Sequence, residues 1–174
     1  MPTSDPEGIA PVIREVMRLR PRTVLDVGIG MGKWGLLFRE YLDAWHHHRC
    51  TQDEFRIQID GVEIYEPYVQ QWHHAVYDTV HIGDIRNLAP ELGHYDLVYL
   101  GDVIEHMPKE DGRKLLADLK FKVCIVSTPA VKTQMIRGKV NPYLDHKCMW
   151  TAADFGRSVK VLHRNRVLIV ELTK

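Results

Sequence analysis

The stretch Arg22-Thr-Val-Leu-Asp-Val-Gly-Ile-Gly-Met-Gly32 is an apolar segment that runs through an acid, Asp26, into three alternating glycines. Its β-branched and aliphatic residues predict a strand, and residues 33 to 41 predict a helix directly after it. Glycine permits a sharp turn and a close approach of the backbone to a ligand, and a helix start offers free amides. The stretch therefore predicts a nucleotide-like cofactor site at Gly28, Gly30 and Gly32.

Three later strand ends carry residues suited to the same site. The spacing Asp-x-Gly-x-Gly-x-Gly is tighter than the dinucleotide fingerprint, whose last glycine stands three residues on. In a doubly wound sheet, ligand-binding residues lie at the carboxyl ends of successive strands. The predicted second strand ends at Glu63, the third is followed by Asp84 and Ile85, and the fourth reaches Gly101 before an acidic stretch. Four consecutive strand ends thus point to one cofactor pocket.

In this order, the four motifs resemble those of class I S-adenosylmethionine-dependent methyltransferases. The resemblance implies S-adenosyl-L-methionine as the cofactor, held by the glycine loop with Asp26. It also implies that Glu63 accepts hydrogen bonds from the ribose hydroxyls. Asp84 would meet the adenine amine, Ile85 would pack on the ring, and Gly101 would lie beneath the methionine part.

The order of predicted elements is that of a single α/β domain over residues 1–174. We expect a doubly wound, mostly parallel seven-stranded sheet with a C-terminal antiparallel hairpin, the Rossmann-like methyltransferase fold. An N-terminal helix is predicted within 1–20, and a substrate-facing loop at 130–150. Residues 159–163 and 166–172 alternate like the hairpin.

Composition sets limits on partners and location. The 174 residues carry 23 basic and 23 acidic side chains, so no net field attracts nucleic acid or an anionic membrane. Neither a run of about 20 apolar residues nor a signal-peptide core is present, which favours a cytoplasmic protein without a membrane partner. The three cysteines form no C-x-x-C pair and indicate reduced thiols. Oligomeric state cannot be read from this sequence.

Acids and histidines cluster in two places that follow the predicted strands. Asp102, Glu105 and His106 have the i, i+3, i+4 spacing of one helical face, and His146 lies in the segment after the fifth strand. These segments resemble those of small-RNA 3′-terminal 2′-O-methyltransferases and, for the first, ubiquinone-pathway O-methyltransferases. The resemblance implies that Asp102, Glu105, His106 and His146 hold a divalent metal such as Mg, Mn, Fe or Zn, although Asp102 replaces a longer glutamate.

The function expected is methyl transfer to the hydroxyl of a small or terminal acceptor, with His106 or His146 as the base if no metal binds. A nucleic-acid end stays open as acceptor, although the charge balance offers no support for it. Two alternatives from other classes also stay open. One is a cofactor-binding but inactive module of a larger assembly, and the other is an NAD-dependent oxidoreductase on the same sheet.

Several aromatic and histidine residues have a plainer interpretation. His46, His47 and His48 are expected in a solvated loop, and His73 and His74, adjacent on a helix predicted from 68 to 76, at the surface. Trp150 is equally suited to wall the pocket or to close the fold beneath its loop.

Overall fold

A computed structural model describes residues 4–131, 141–156 and 159–174, and its centre is a seven-stranded sheet. The sheet order is β3-β2-β1-β4-β5-β7-β6, in which β1 to β5 run parallel and β7 lies antiparallel between β5 and β6. The predicted doubly wound sheet with its C-terminal hairpin is confirmed. The strands are β1 (Thr23–Val27), β2 (Gln58–Glu63), β3 (Thr79–Ile82), β4 (Tyr95–Gly101), β5 (Phe121–Pro129), β6 (Lys160–Arg164) and β7 (Val167–Thr173).

Within the described residues, one α-helix precedes β1 and five α-helical segments lie between strands; two of these segments differ from expectation. Helix α2 continues through a π-helical turn (Glu40–Ala44) into α3, so the predicted loop at His46 to His48 is wrong and the helix reaches His47. Helix α4 has four residues because Val69 takes an extended backbone after a 3-10 turn. The helices are α1 (Ile9–Leu19), α2 (Lys33–Arg39), α3 (Trp45–His47), α4 (His73–Val76), α5 (Ile85–Leu88) and α6 (Lys109–Asp118).

Each face of the sheet packs against its own layer of helices. On one face, Leu25, Val98 and Leu100 pack with apolar residues of α5 and α6, such as Leu115. On the other face, alternate strand residues pack with the apolar stripe of α1 and with α2. Burial on both faces explains why the central strands β4 and β5 are mostly continuous apolar runs rather than alternating ones.

The sheet order reverses between β1 and β4, and this determines where a ligand can bind. The two strands pair in parallel with Val27 opposite Leu100, so the loops that follow them begin side by side. Open α/β sheets bind ligands in the crevice at such a reversal, outside the carboxyl ends of the strands. Within the described residues, no helix is long and apolar enough to span a membrane.

Candidate functional site

A pocket of about 870 Å³ opens at this crevice. It is lined by the loop after β1, the ends of β2 and β4, the segment from Gly83 to Arg86, and part of the segment from Asn141 to Lys147. Residues 132–140 of the predicted substrate-facing loop lie outside the described residues. The four strand ends singled out in the sequence therefore meet at one pocket.

The glycine loop has the backbone that its sequence predicts. Gly28, Gly30 and Gly32 have φ angles of 78°, 53° and 80°, in the left-handed region that favours glycine. A Cβ on Gly28 would lie 2.5 Å from Cγ2 of Val103, a contact that real side chains do not make. Gly28 and Gly30 line the pocket, whereas a Cβ on Gly32 would point to His73, 3.1 Å away on the other side of the loop.

Glu63 lies at the end of β2 and is joined to the glycine loop. Its Oε2 accepts a hydrogen bond from the Gly30 amide at 3.0 Å, and its Oε1 accepts one from the Tyr65 amide at 2.9 Å. The side chain is almost fully buried yet lines the pocket. Two backbone donors thus fix the carboxylate in one orientation, and each oxygen retains a lone pair for a ligand hydroxyl.

Asp84 and Ile85 follow β3 and line the same pocket. Asp84 caps α5 by accepting a hydrogen bond from the Arg86 amide at 2.9 Å. The Arg86 guanidinium also binds both oxygens of Asp84 and holds the pKa of that carboxyl below its ordinary value. A ligand amine at Asp84 would therefore share the carboxylate with Arg86.

Asp26 does not line the pocket in this structure. It is buried behind the glycine loop, where its Oδ2 accepts a 2.6 Å hydrogen bond from the Tyr77 hydroxyl. That hydroxyl in turn accepts a hydrogen bond from the Gly35 amide in α2. Burial raises the pKa of Asp26 to about 7. Asp26 is therefore linked through the Tyr77 hydroxyl to α2, and it supports the loop rather than contacting the pocket.

Gly101 and Asp102 form the pocket floor after β4. Asp102 has a φ of 54°, unusual for a non-glycine residue, and its amide donates to the Ser127 carbonyl oxygen at 2.8 Å. Burial raises the pKa of Asp102, and a hydrogen bond with Ser4 and the charge of Lys33 partly oppose that rise. The Asp102 side chain is thus engaged with the N-terminal segment and with α2.

Three of the four predicted metal ligands do come together. Ligand atoms of Glu105, His106 and His146 all lie within 4.8 Å of one another. Asp102 is outside this group, because the predicted helical turn begins only at Ile104 and the left-handed backbone of Asp102 turns its side chain toward Ser4. The structure therefore presents a three-residue cluster rather than the four-residue set.

Glu105 is the most constrained member of this cluster. The side chain is 1% exposed, and its Oε2 accepts a 3.0 Å hydrogen bond from the Thr128 hydroxyl. Its Oε1 is buried and has no hydrogen-bond partner among the residues that the structure describes. Burial and the nearby Asp102 carboxylate raise the pKa of Glu105 to about 8. An orphaned buried carboxylate oxygen is costly unless a donor or a cation meets it.

The two imidazoles face each other beside Glu105. Their ring centroids are 4.8 Å apart in an edge-to-face arrangement. The Nδ1–H group of His106 donates a hydrogen bond to the Asp145 carbonyl oxygen at 3.3 Å, which leaves Nε2 as the basic nitrogen. Burial lowers the pKa of both histidines, and for His106 the neighbouring His146 lowers it further. Neutral imidazole is the form that binds a cation or accepts a proton.

The segment that carries His146 is tied to the end of β4. The Glu105 carbonyl oxygen accepts hydrogen bonds from the amides of Lys147 and Cys148 at 2.7 and 3.3 Å. Trp150 is 2% exposed and donates from its indole nitrogen to the Ile104 carbonyl oxygen at 3.2 Å. Trp150 is absent from the pocket lining, so of its two proposed roles it closes the fold.

Two residues of the site were not found from the sequence. Thr128, in β5, holds Glu105 from a neighbouring strand, and no local pattern pairs residues 23 positions apart. His73 was expected at the surface, which is wrong: it is fully buried against the glycine loop. His74 is exposed, as expected. The two side chains do point in different directions, but that of His73 points into the protein.

Comparison with solved structures identifies the fold. The N-terminal domain of EvdMO1, crystallised with S-adenosylhomocysteine and D-fucose, gives a TM-score of 0.66 at 17% identity, over 98% of this chain and 84% of that one. The methyltransferase domain of bacterial CtHen1 gives 0.64 at 17% identity, over 96% and 97% of the two chains. This chain has the class I methyltransferase fold.

A third methyltransferase structure agrees. The small RNA methyltransferase HEN1 matches with a TM-score of 0.65 at 18% identity, over the whole of this chain and 26% of that one. No family model and no curated protein matches the sequence. At these identities the likeness establishes the methyltransferase fold, and activity must be argued from the site.

Proposed function

We propose that this protein transfers a methyl group from S-adenosylmethionine to a hydroxyl oxygen of a small or terminal acceptor, assisted by a divalent metal at Glu105, His106 and His146. The observation that carries the proposal is the shared pocket. The glycine loop with Glu63 and the Glu105 cluster line the same 870 Å³ space. A cofactor and an acceptor bound there would meet at the end of β4.

The residues around the glycine loop fit S-adenosylmethionine. Side-chain-free Gly28 and Gly30 give a ligand direct access to the backbone, and Glu63 offers two fixed carboxylate oxygens to a pair of ribose hydroxyls. Asp84 and Ile85 supply an acceptor and an apolar surface where an adenine ring would lie. When bound, the cofactor supplies a methyl group on a positively charged sulfur.

The residues around Glu105 fit a hard or borderline divalent cation. The unpartnered Oε1 of Glu105 is a buried carboxyl oxygen beside two neutral imidazoles, and a bound cation would favour the ionised form of that carboxyl. The Asp145 carbonyl oxygen accepts a hydrogen bond from Nδ1 of His106, and such a bond to the far ring nitrogen commonly orients a histidine that binds a metal. A metal at this site would bind the acceptor oxygen and lower its pKa.

In the proposed reaction, the acceptor oxygen forms a bond to the methyl carbon as the carbon–sulfur bond breaks, which yields S-adenosylhomocysteine. The hydroxyl proton must leave. With a metal bound at the cluster, the lowered pKa of the acceptor oxygen would let the proton pass to solvent. Without a metal, the neutral imidazole of His106 or His146 would receive it. The pocket floor at Gly101 and Asp102 aligns the two reactants. Such alignment supplies much of the rate gain in displacement reactions.

The acceptor region favours a compact or terminal group. It is lined by Pro142, Tyr143 and Leu144 together with His146, and half-exposed Tyr143 offers a ring for stacking. The similar structures include a domain crystallised with D-fucose and a small RNA methyltransferase. We propose a sugar hydroxyl or a nucleic-acid end as the acceptor class, presented to the pocket rather than wrapped by a basic surface.

Calorimetric titration with S-adenosylhomocysteine tests the cofactor. We expect saturable binding and none with NADH. The reverse preference would make the chain an oxidoreductase instead. Transfer of the labelled methyl group from S-adenosylmethionine to a panel of sugars, phenols and RNA 3′ ends would then identify the acceptor. No transfer to any of them, in the presence of Mn²⁺ and with cofactor bound, would favour the inactive binding module.

Titration of Mn²⁺ into chelator-treated protein loaded with S-adenosylhomocysteine tests the metal. We expect one site, lost in His146→Ala and retained in His94→Ala, which removes an exposed histidine outside the cluster. If wild-type protein binds no Mn²⁺, the proton-accepting role passes to the imidazoles alone. Equal binding by both variants would remove His146 from the ligand set.

A further inference from the structure

Helix α4 and the residues beside it form three hydrogen bonds to the glycine loop and to the strand before it, on the side away from the pocket. The Trp72 indole nitrogen donates to the Met31 carbonyl oxygen at 3.3 Å, and His73 Nε2 lies 3.1 Å from the Gly30 carbonyl oxygen. The Tyr77 hydroxyl bonds to Asp26 on the strand that leads into the loop. Nothing in the glycine motif itself anticipates these contacts. Two of them end on carbonyl oxygens of the loop that touches the ligand.

The surroundings of His73 determine which ring nitrogen carries the proton. Nδ1 lies 2.9 Å from the Gln70 amide nitrogen, a donor, and 3.2 Å from the Gln70 carbonyl oxygen. The Gly30 carbonyl oxygen at Nε2 can only accept. A neutral ring with its proton on Nε2 satisfies the Gln70 amide and the Gly30 carbonyl together. His73 therefore donates to the loop and accepts from its own helix start.

Gly30 is held at both of its peptide groups. Its amide donates to Glu63 Oε2 at 3.0 Å, and its carbonyl accepts from His73 Nε2 at 3.1 Å. With a φ of 53° and no side chain, Gly30 has more conformational freedom than any other residue type would have there. The two hydrogen bonds remove that freedom on either side of its Cα. The orientation of Glu63 and the shape of the loop are thereby coupled through Gly30.

We propose that His73 is a positioning residue for cofactor binding, which fixes the Gly30 peptide so that the loop and Glu63 are preset for the cofactor. The inference rests on the proposed function, since it requires a cofactor at Glu63. His73 touches no ligand in this arrangement and acts through Gly30. A site that is already in its binding conformation loses less conformational entropy when the cofactor binds. Removal of the hydrogen bond from His73 to Gly30 should therefore weaken cofactor affinity.

A purely structural role of His73 makes a different prediction. The ring is fully buried, packs against Gly32 and stacks on Tyr77 with centroids 6.2 Å apart, so any substitution lowers stability. If packing were its whole role, cofactor affinity would follow stability. The two hydrogen bonds leave from different ring atoms, and two amide side chains can separate them. Gln places its NH₂ near the Nε2 position, whereas Asn places its oxygen near the Nδ1 position.

The test measures affinity for S-adenosylhomocysteine by calorimetry and Tm by thermal unfolding in His73→Gln and His73→Asn. We expect His73→Gln, which keeps the donor to Gly30, to bind within about twofold of wild type. His73→Asn, which keeps only the Gln70 contact, should bind roughly five- to tenfold more weakly, the effect of one hydrogen bond. His74→Asn, at the exposed neighbouring position, is the matched control and should leave both quantities unchanged.

The outcomes separate the two proposals. Wild-type protein that fails to bind S-adenosylhomocysteine overturns the proposed function and this inference with it. Wild-type binding with equal affinity losses in the Gln and Asn variants overturns the role of His73 alone. Should neither variant fold, ¹⁵N NMR of the histidines in the wild-type protein provides the test. A proton on Nε2 of His73 supports its positioning role, and a proton on Nδ1 instead overturns it.

Discussion

The two halves of the pocket are built in different ways. The half proposed to hold the cofactor, called the cofactor half, comprises the loop 28–32, Glu63, Asp84 and Ile85, which are short motifs directly after their strands. The acceptor half joins residues 102–107 to the segment 141–150, about 40 positions away, through hydrogen bonds to the Glu105 carbonyl oxygen. The cofactor half can be recognised from local sequence. The acceptor half forms only when the segment 141–150 packs against residues 102–107.

The halves also differ in how far they are complete without a ligand. Both oxygens of Glu63 accept backbone hydrogen bonds. One oxygen of Glu105 is buried without a partner in the described part of the chain, and the pKa of this residue is raised to about 8. Glu63 is already oriented for a cofactor, whereas Glu105 still has an oxygen free to bind a metal. Substitutions should therefore affect cofactor and metal binding independently.

The largest expected effect is that of Gly28→Val in the cofactor half. Valine at a φ of 78° is strained, and its Cβ would lie 2.5 Å from Val103, so the loop must move. We expect affinity for S-adenosylhomocysteine to fall more than about 100-fold in calorimetry. Mn²⁺ binding at the Glu105 cluster should persist, because Gly28 contributes no ligand there.

Gly93→Val is the matched control for this substitution. Gly93 is exposed in the connection before β4, and a Cβ there would meet nothing within 4 Å. Cofactor affinity should be that of wild type. Simultaneous loss of Mn²⁺ and cofactor binding in Gly28→Val, with the fold intact by circular dichroism, would mean that the halves are not independent.

Local sequence located most of the residues that line this half of the pocket, with one instructive exception. Gly28, Gly30, Glu63, Asp84 and Ile85 line the pocket as the motifs predict, because each follows its strand within a few residues. Asp26 also belongs to the motif but faces the opposite way, since side chains alternate along a strand. A motif identifies residues that recur together, and it does not distinguish those that touch the ligand from those that support the loop.

The acceptor half was predicted less completely. The i, i+3, i+4 spacing assumed a helical turn that starts at Asp102, but the turn starts at Ile104 and Asp102 has a left-handed backbone. Its amide is instead bonded to Ser127 of the neighbouring strand. Pairing between strands and the docking of His146 depend on contacts distant in sequence, which spacing alone does not encode.

Glu105→Gln should have the largest effect on the acceptor half. The amide has nearly the size of the carboxylate and keeps an oxygen for the Thr128 hydroxyl, but it carries no charge for a cation. We expect Mn²⁺ affinity to fall roughly 100-fold, with S-adenosylhomocysteine affinity unchanged. Wild-type Mn²⁺ affinity in this variant would show that the buried oxygen is not a ligand. Glu110→Gln, on the first turn of α6, controls for charge.

Glu63→Ala should weaken cofactor binding and leave the Glu105 cluster intact. Removal of the carboxylate takes away the expected ribose contacts and leaves the Gly30 amide without its acceptor. Hydrogen bonds to charged groups contribute more than neutral ones, so we expect affinity for S-adenosylhomocysteine to fall roughly 10- to 100-fold. Unchanged affinity would remove Glu63 from the cofactor site. Glu66→Ala, three residues on, outside the pocket lining, is the control.

The last prediction concerns Asp26 behind the cofactor loop, and its effect is on stability rather than on binding. Burial raises the pKa of this carboxyl from 3.8 to about 7. Below pH 4 the group is protonated in the folded and the unfolded chain alike. Between about pH 4 and 7 the unfolded carboxyl releases its proton while the folded one keeps it, so stability falls as pH rises.

Asp26→Asn removes this titration and can still accept the Tyr77 hydrogen bond. Relative to the variant, wild-type protein should lose up to about 4 kcal/mol of unfolding free energy between pH 4 and pH 8, with no further change above that range. Urea denaturation of both proteins across this interval measures the difference. Parallel profiles would mean that Asp26 is ionised in the folded state at neutral pH. The loop would then rest on a buried carboxylate whose Oδ1, like Oε1 of Glu105, has no hydrogen-bond partner in the described part of the chain, and the contrast between the two halves would weaken.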